Sequence, residues 1–241
     1  MKKVIMKTVS TKKINGSVTQ RFGKSLRYAI FMLILITMSL TGFCESNTYA
    51  DAMLKNIADF KKDSTLEQYQ ATANSFERIV NIEKEKWLPS YYAAHVYVIM
   101  SFFEEDSDKR DLYIDKAQTF IDNCQKIVKN ESEVYVMQGF IHQARISVSP
   151  MVRGMKYSVK ASEALNKAIK INENNPRAYF LLGQNLLHTP SMFGGGTDAA
   201  CPYLTKAKAK YKIFKPKSSI SPNWGEKTTI KLFEYCNKEK K

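Results

Sequence analysis

The sequence predicts an all-α protein: a solenoid of helix-turn-helix repeats, about four helix pairs followed by a closing helix. Three observations carry this. After residue 52 no stretch alternates apolar and polar residues long enough to make a strand. Long segments instead carry apolar residues at helical spacing. Two of those segments share one internal spacing and lie 44 residues apart, which marks an internal repeat.

Leu66 to Lys84 reads as the second helix of a first unit, with Tyr69, Ala73, Phe76, Ile79 and Val80 on one side. "PSYYAAHVY", Pro89 to Tyr97, begins the first helix of unit two. Its second helix is "YIDKAQTFIDNCQKIV", with Ile114, Ala117, Ile121, Cys124, Ile127 and Val128 on the apolar stripe. From this helix into unit three, Ala117 stands eighteen residues before Tyr135, and Gly139 follows four later. The same steps recur from Ala161 to Tyr179 to Gly183, with Leu165, Ala168 and Ile171 matching Ile121, Cys124 and Ile127. "DAACPYLTKAKAKY" repeats the small-large-small pattern at Ala200, Leu204 and Ala207. "PNWGEKTTIKLFEYC", Pro222 to Cys236, reads as the closing helix.

These residues resemble the tetratricopeptide repeat, a helix-turn-helix unit of about 34 residues with an aromatic, a Leu-Gly and spaced alanines. "AYFLLG" and "ASEALNKAIKINENNP" carry the likeness, which covers 65–237. A vaguer likeness, to exported bacterial repeat proteins, rests on Pro190, Phe193 to Gly196 and Pro222 to Gly225. The resemblance implies a non-enzymatic interaction scaffold. Small residues such as Ala161, Ala168 and Gly183 let helices approach, and Tyr179 and Leu165 fill the space between them.

The departures from the repeat fall between first and second helices. Extended connections are expected at Glu104–Asp111, Ser149–Met155 and His188–Thr197, side by side on one edge of the solenoid. Insertions on one face often form the binding face. The residues expected to bind a protein or peptide there are Met151, Arg153, Met155, Lys156, Tyr157, His188, Met192 and Phe193. Packing of an edge is the competing reading. A second candidate is the groove lined by first helices, with Tyr97, Phe140, Gln143, Phe180 and Gln184. The Lys/Asn clamp that some family members use for a peptide carboxylate has no counterpart, because the matching places are apolar. Gly194 to Gly196 stand where a phosphate loop would, yet no strand precedes them and no Lys-Ser/Thr follows. They are expected to reverse the chain, with Thr197 or Asp198 capping the next helix.

The 241 residues carry a net charge of +14, unevenly. Residues 1–50 hold eight basic residues against one acid, residues 206–241 eleven against three, and 51–205 eighteen against nineteen. Lys24 and Arg27 precede "AIFMLILITMSL", an apolar run too short for a membrane span and suited to a secretory signal. Residues 1–50 are therefore expected to be a signal peptide with a long basic n-region, cleaved after Ala50 or Ala52. A lipoprotein signal at Cys44 ranks second, since Phe43 is not small. Residues 51–64 are then an N-terminal segment, and 238–241 a basic tail. Export to the periplasm or beyond makes nucleic acid an unexpected partner. The basic C-terminal region could meet an anionic membrane surface, or simply solvate a helix.

No catalytic, metal-binding or cofactor motif is found: His95, His142 and His188 stand outside any metal spacing. The chain is expected not to be an enzyme. A ligand-binding component of a transport system is the first alternative, which a closed inner pocket would favour. An envelope enzyme is the second. Cys201 and Cys236 lie at meeting ends of consecutive antiparallel helices, so they either pair or stay as separate thiols.

Overall fold

The computed structural model describes residues 48–239. Residues 1–47, which hold most of the expected signal peptide and Cys44, and residues 240–241 of the basic tail lie outside them. Described residues form nine α-helices and one 3-10 turn, with no strand. They are α1 (48–60), α2 (Leu66–Ile82), α3 (Trp87–Phe103), α4 (Ser107–Ile127), α5 (Ser132–Val148), α6 (Pro150–Ile171), α7 (Pro176–His188), α8 (Thr197–Ile213) and α9 (Glu226–Glu239). From α2 onward each helix packs on the next, and α5 also touches both α3 and α7, as the first helices of stacked hairpins do. No described helix is long and apolar enough to cross a membrane.

Residues 51–64, expected as a separate segment, belong largely to α1, so the first unit has its first helix. Met53 and Ile57 are buried in the core, and Tyr49 packs against it. Local signals set the ends of several helices. Thr65 and Gln68 form a capping box at α2. Asp106 accepts from the amides of Asp108 and Lys109, and Asn175 caps α7 ahead of Pro176.

The repeat spacing has a direct physical meaning. A methyl group on Gly139 would strike the Leu165 side chain, and one on Gly183 would strike Leu204. The same glycine–leucine contact thus closes two successive hairpins, α5–α6 and α7–α8.

Three expectations about connections need correction. The α3–α4 connection shrinks to 104–106, because Asp106 starts α4 at once. Ser149 alone separates α5 from α6, and Pro150 at the start of α6 keeps the chain helical from there. The extra residues between first and second helix therefore lengthen α6 to 22 residues instead of making a loop. Only 189–196 is a true loop. At its end Gly196 is the cap of α8, with no side-chain bond, and Thr197 is already helical.

The closing helix also starts later than expected. Pro222 to Gly225 belong to a non-helical strap, residues 214–225, that joins α8 to α9. The strap crosses the first helices. Tyr92 Oη donates to the Ile220 carbonyl at 3.0 Å, Tyr211 Oη donates to the Trp224 carbonyl at 2.8 Å, and Trp224 Nε1 donates to Tyr91 Oη at 2.9 Å. A disulfide joins Cys201 to Cys236, with their Cα atoms 5.7 Å apart, and ties α9 to α8. Cys124 is a buried free thiol, pushed well above its ordinary pKa by burial.

Candidate functional site

The two surfaces expected from sequence meet in one cleft. A pocket of about 280 Å³ between α3, α5 and α7 is lined by Phe102, Phe140, Gln143, Gln184 and His188, among others. A second, of about 500 Å³, lies between the start of α6 and the 189–196 loop, with Met151, Met155, Val159, His188 and Phe193 on its walls. Ile146, Asn185 and His188 line both, so the inner groove opens onto the loop edge at His188.

Helical phase explains the apolar wall. Met151, Met155 and Val159 recur every fourth residue along α6 and share one face. No described helix covers that face at the end where α6 is lengthened. Met151 is 98% exposed and Met192 81%, and Met155, Val159 and Phe193 are each about half exposed. An exposed apolar patch around a concavity marks a binding surface. The loop is fixed opposite it by an Oγ–Oγ1 hydrogen bond of 2.7 Å between Ser158 and Thr189, while Asn185 Nδ2 donates to the Ser158 carbonyl.

The three glycines are not an anion site. Gly194 and Gly196 have φ of 81° and 92°, which turns the chain. Their amides are already spent: Gly194 donates to Ser191, Gly195 to Pro190 and Gly196 to Leu186, all at backbone carbonyls. No N–H of the three is left to cradle a phosphate.

Other expected residues are placed differently. Arg153 is committed to a bidentate ion pair with Asp111, at 2.6 and 2.7 Å, which joins α6 to α4. That guanidinium holds the Asp111 carboxyl below the usual carboxylate range. Tyr157 lies against His142, with Lys156 and Lys160 over its ring, so it supports α6 and does not line the cleft. Tyr97 is a correction: it is fully buried away from the groove, donating to Glu77 at 2.6 Å and stacking on Phe120. Two residues along a helix turn the side chain by about 200°. Phe102 therefore lines the groove where Tyr97 was expected, and His95 and Ile99 line the cavity under the strap.

Phe140 does line the groove. Phe180 touches it through Trp224, whose ring stacks on Phe140 with centroids 5.7 Å apart and meets Phe180 edge-on. Trp224 also lies 4.6 Å from His95. The strap thus splits the inner face: one part opens to the edge cleft, and another becomes a cavity under the strap.

Holding this face together is a buried polar network that sequence reading missed. Arg177, 1% exposed, donates to Glu133 through Nε and Nη2 at 2.7–3.0 Å. Asn175 donates to Glu133 at 2.8 Å, and Tyr91 donates to it at 3.2 Å. Trp224 binds Tyr91 in turn, which links the strap to α3, α5 and α7. The signal was in the sequence: Glu133 and Arg177 are 44 residues apart, the repeat offset, so equivalent positions carry opposite charges. Among described residues no three of His, Cys, Asp and Glu converge as a metal site would need.

No protein-family model and no curated protein matches the chain. Among solved structures, a TPR protein from Thermus thermophilus aligns at 13% identity over 78% of this chain and 98% of that one, with a TM-score of 0.43. The HusA haemophore from Porphyromonas gingivalis aligns at 30% identity over 80% of this chain and 94% of that one, with a TM-score of 0.72. An aligned length and identity of that order join the two proteins in one family, and the chain belongs to the family of the HusA haemophore.

Proposed function

We propose that the chain is an exported, non-enzymatic binding protein that takes up haem as cargo in the cleft around His188. The observation that carries this reading is the continuous apolar cleft itself, open to solvent and rimmed by Met151, Met155, Val159 and Phe193. Haem is a flat apolar macrocycle with two carboxylates and an iron that accepts imidazole or thioether ligands. His188 and the cleft methionines are ligands of that kind, and α6, which carries Met151 and Met155, also carries the exposed Lys156 and Lys160, whose charge suits the carboxylates. An open cleft suits a carrier, which has to release what it captures. The membership of a haemophore family supports the same cargo. The basic leader with its apolar run, lying outside the described residues, fits export.

Haemin titration followed by Soret absorbance tests the reading. Binding is expected to saturate at one haemin per chain. His188→Ala is expected to shift the Soret band, and Met155→Asp with Phe193→Asp to weaken binding roughly tenfold or more, about 1.4 kcal/mol per decade. An unchanged titration in that double variant would remove the cleft from the proposal.

A protein or peptide partner is the second reading. It is favoured by Met192 and Val152, each 81% exposed beyond the cleft walls, as a docking surface for handing cargo on would require.

A further inference from the structure

The strap encloses a second cavity, of about 380 Å³, on the far side of Trp224 from the edge cleft. Its walls come from α1, α2, α3 and the strap. Phe60, Tyr69, Tyr92, His95 and Trp224 give it aromatic surfaces, and Ile99 closes its floor. These rings already meet edge-to-face and tilted: Phe60 and His95 at 4.9 Å, Phe60 and Tyr69 at 6.0 Å. A flat ring entering the cavity would continue that packing.

The strap carries four of the polar side chains on the walls. Ser218, Ser219, Ser221 and Asn223 come from the strap, and Lys61 from the end of α1. Among the described residues Lys61 is the one charged side chain on the walls, and none of them brings a carboxylate to the cavity. His95 is a separate sign that the wall is unfinished. It is 6% exposed, and its Nδ1 is buried without a hydrogen-bond partner, a costly arrangement in an apolar setting. The volume lies at the lower end of the usual range for small-molecule pockets, about 300–1,000 Å³.

We infer that the cavity under the strap is a second binding site, separate from the haem cleft, for a small aromatic carboxylate of one or two rings. The ring lies among Phe60, Tyr69, His95 and Trp224. The carboxylate meets Lys61 and the strap hydroxyls. The strap is the specificity element of this site, since it supplies Trp224 and most of the hydrogen-bonding groups. Its attachment through Tyr92, Tyr91 and Tyr211 sets the cavity's depth.

The test compares 3-phenylpropionate with the neutral 3-phenylpropan-1-ol by isothermal calorimetry, alongside a haemin titration of each protein. The acid is expected to bind saturably and at least fivefold more tightly than the alcohol. Lys61→Ala is expected to erase that preference. Ile99→Trp, which fills the cavity, is expected to abolish both while haemin binding and the melting temperature stay unchanged. Should Ile99→Trp unfold the chain, Ser219→Trp fills the cavity from the strap side. Failure of the acid to bind at millimolar concentration overturns the inference, as does equal binding of acid and alcohol. Binding that survives the filled cavity also overturns it. Loss of haemin binding in a folded cavity-filled variant would make the two sites one and overturn their separateness. Absence of haemin binding in the unaltered protein would sink the haem proposal alone.

Discussion

At the scale of single residues, burial and pairing decide more than residue type. Arg177 and Glu133 are the clearest case. Both are shut away from water, and each has the other as its principal partner. Glu133 and the neighbouring tyrosines hold the Arg177 guanidinium charged, well above its ordinary pKa. Removing one member leaves a buried charge without its counter-ion, a loss of about 3–5 kcal/mol. Arg177→Met is therefore expected to cost that much in urea unfolding. The double variant Arg177→Met with Glu133→Gln should cost less than the single one, because no uncompensated charge remains. A single variant as stable as the parent would deny the pair its structural role. The repeat offset made this pair findable. Nothing in the sequence reveals that Tyr91, Asn175 and Trp224 close around it, because they come from α3, the α7 cap and the strap.

At the scale of elements, the reading of helices from periodicity transfers well, and the reading of connections does not. The apolar stripes of α2, α4, α6 and α8 are buried where the spacing put them: Ala73 and Phe76, Ala117 and Ile121, Ala161 and Leu165, Ala200 and Leu204. Periodicity reports which face is buried, and burial is what fixes a helix. Extra residues between helices carry no such periodic mark, so loop and extended helix read alike. Ser149 to Met155 became helix because Pro150 fits a first helical turn, and Gly154 does not stop it. The inner groove was misphased at Tyr97 for a related reason: α3 is buried on most sides, so its sequence shows no single apolar face. The α8–α9 pair supplies the prediction at this scale. The disulfide closes a segment of 35 residues that includes the strap. Loop entropy puts its contribution at about 3–4 kcal/mol. Cys201→Ser with Cys236→Ser is expected to lower stability by that order, and to loosen Trp224 first. Amide hydrogen exchange should show faster exchange in 214–239 than elsewhere; uniform acceleration along the chain would count against a local staple.

At the scale of the whole molecule, charge is segregated, and the buried His95 and half-buried His142 make stability depend on pH. Burial, aided by Arg177, lowers His95 to about 3; burial, with Lys160 and Arg145, lowers His142 to about 4. In the unfolded chain both titrate near 6.5. Above that pH neither form is protonated and neither histidine affects stability. As pH falls below about 6.5, the unfolded chain takes up protons that the folded chain refuses, so stability declines down to about pH 3–4. Asp111 adds to the decline further down, since its partner Arg153 depresses its pKa in the folded state. The melting temperature is expected to fall steadily from pH 7 to pH 4, and His95→Phe to flatten that fall. Parallel curves for the variant and the parent would show that His95 is not the group responsible.

The sequence by itself determined the all-α class, the repeat register and the buried stripes. Each of these is local or periodic: it depends on which side chains recur at a helical or repeat interval, and a chain carries that information along its length. Only the tertiary structure decided that α6 is lengthened, that the loop edge and inner groove are one cleft, and that residues 214–225 return across the first helices. Those outcomes rest on contacts between residues far apart in the chain, such as Tyr92 with Ile220 and Tyr91 with Trp224. Their free energy comes from burying aromatic surface and satisfying hydroxyl and carbonyl groups at once, and no interval in the sequence encodes such a meeting.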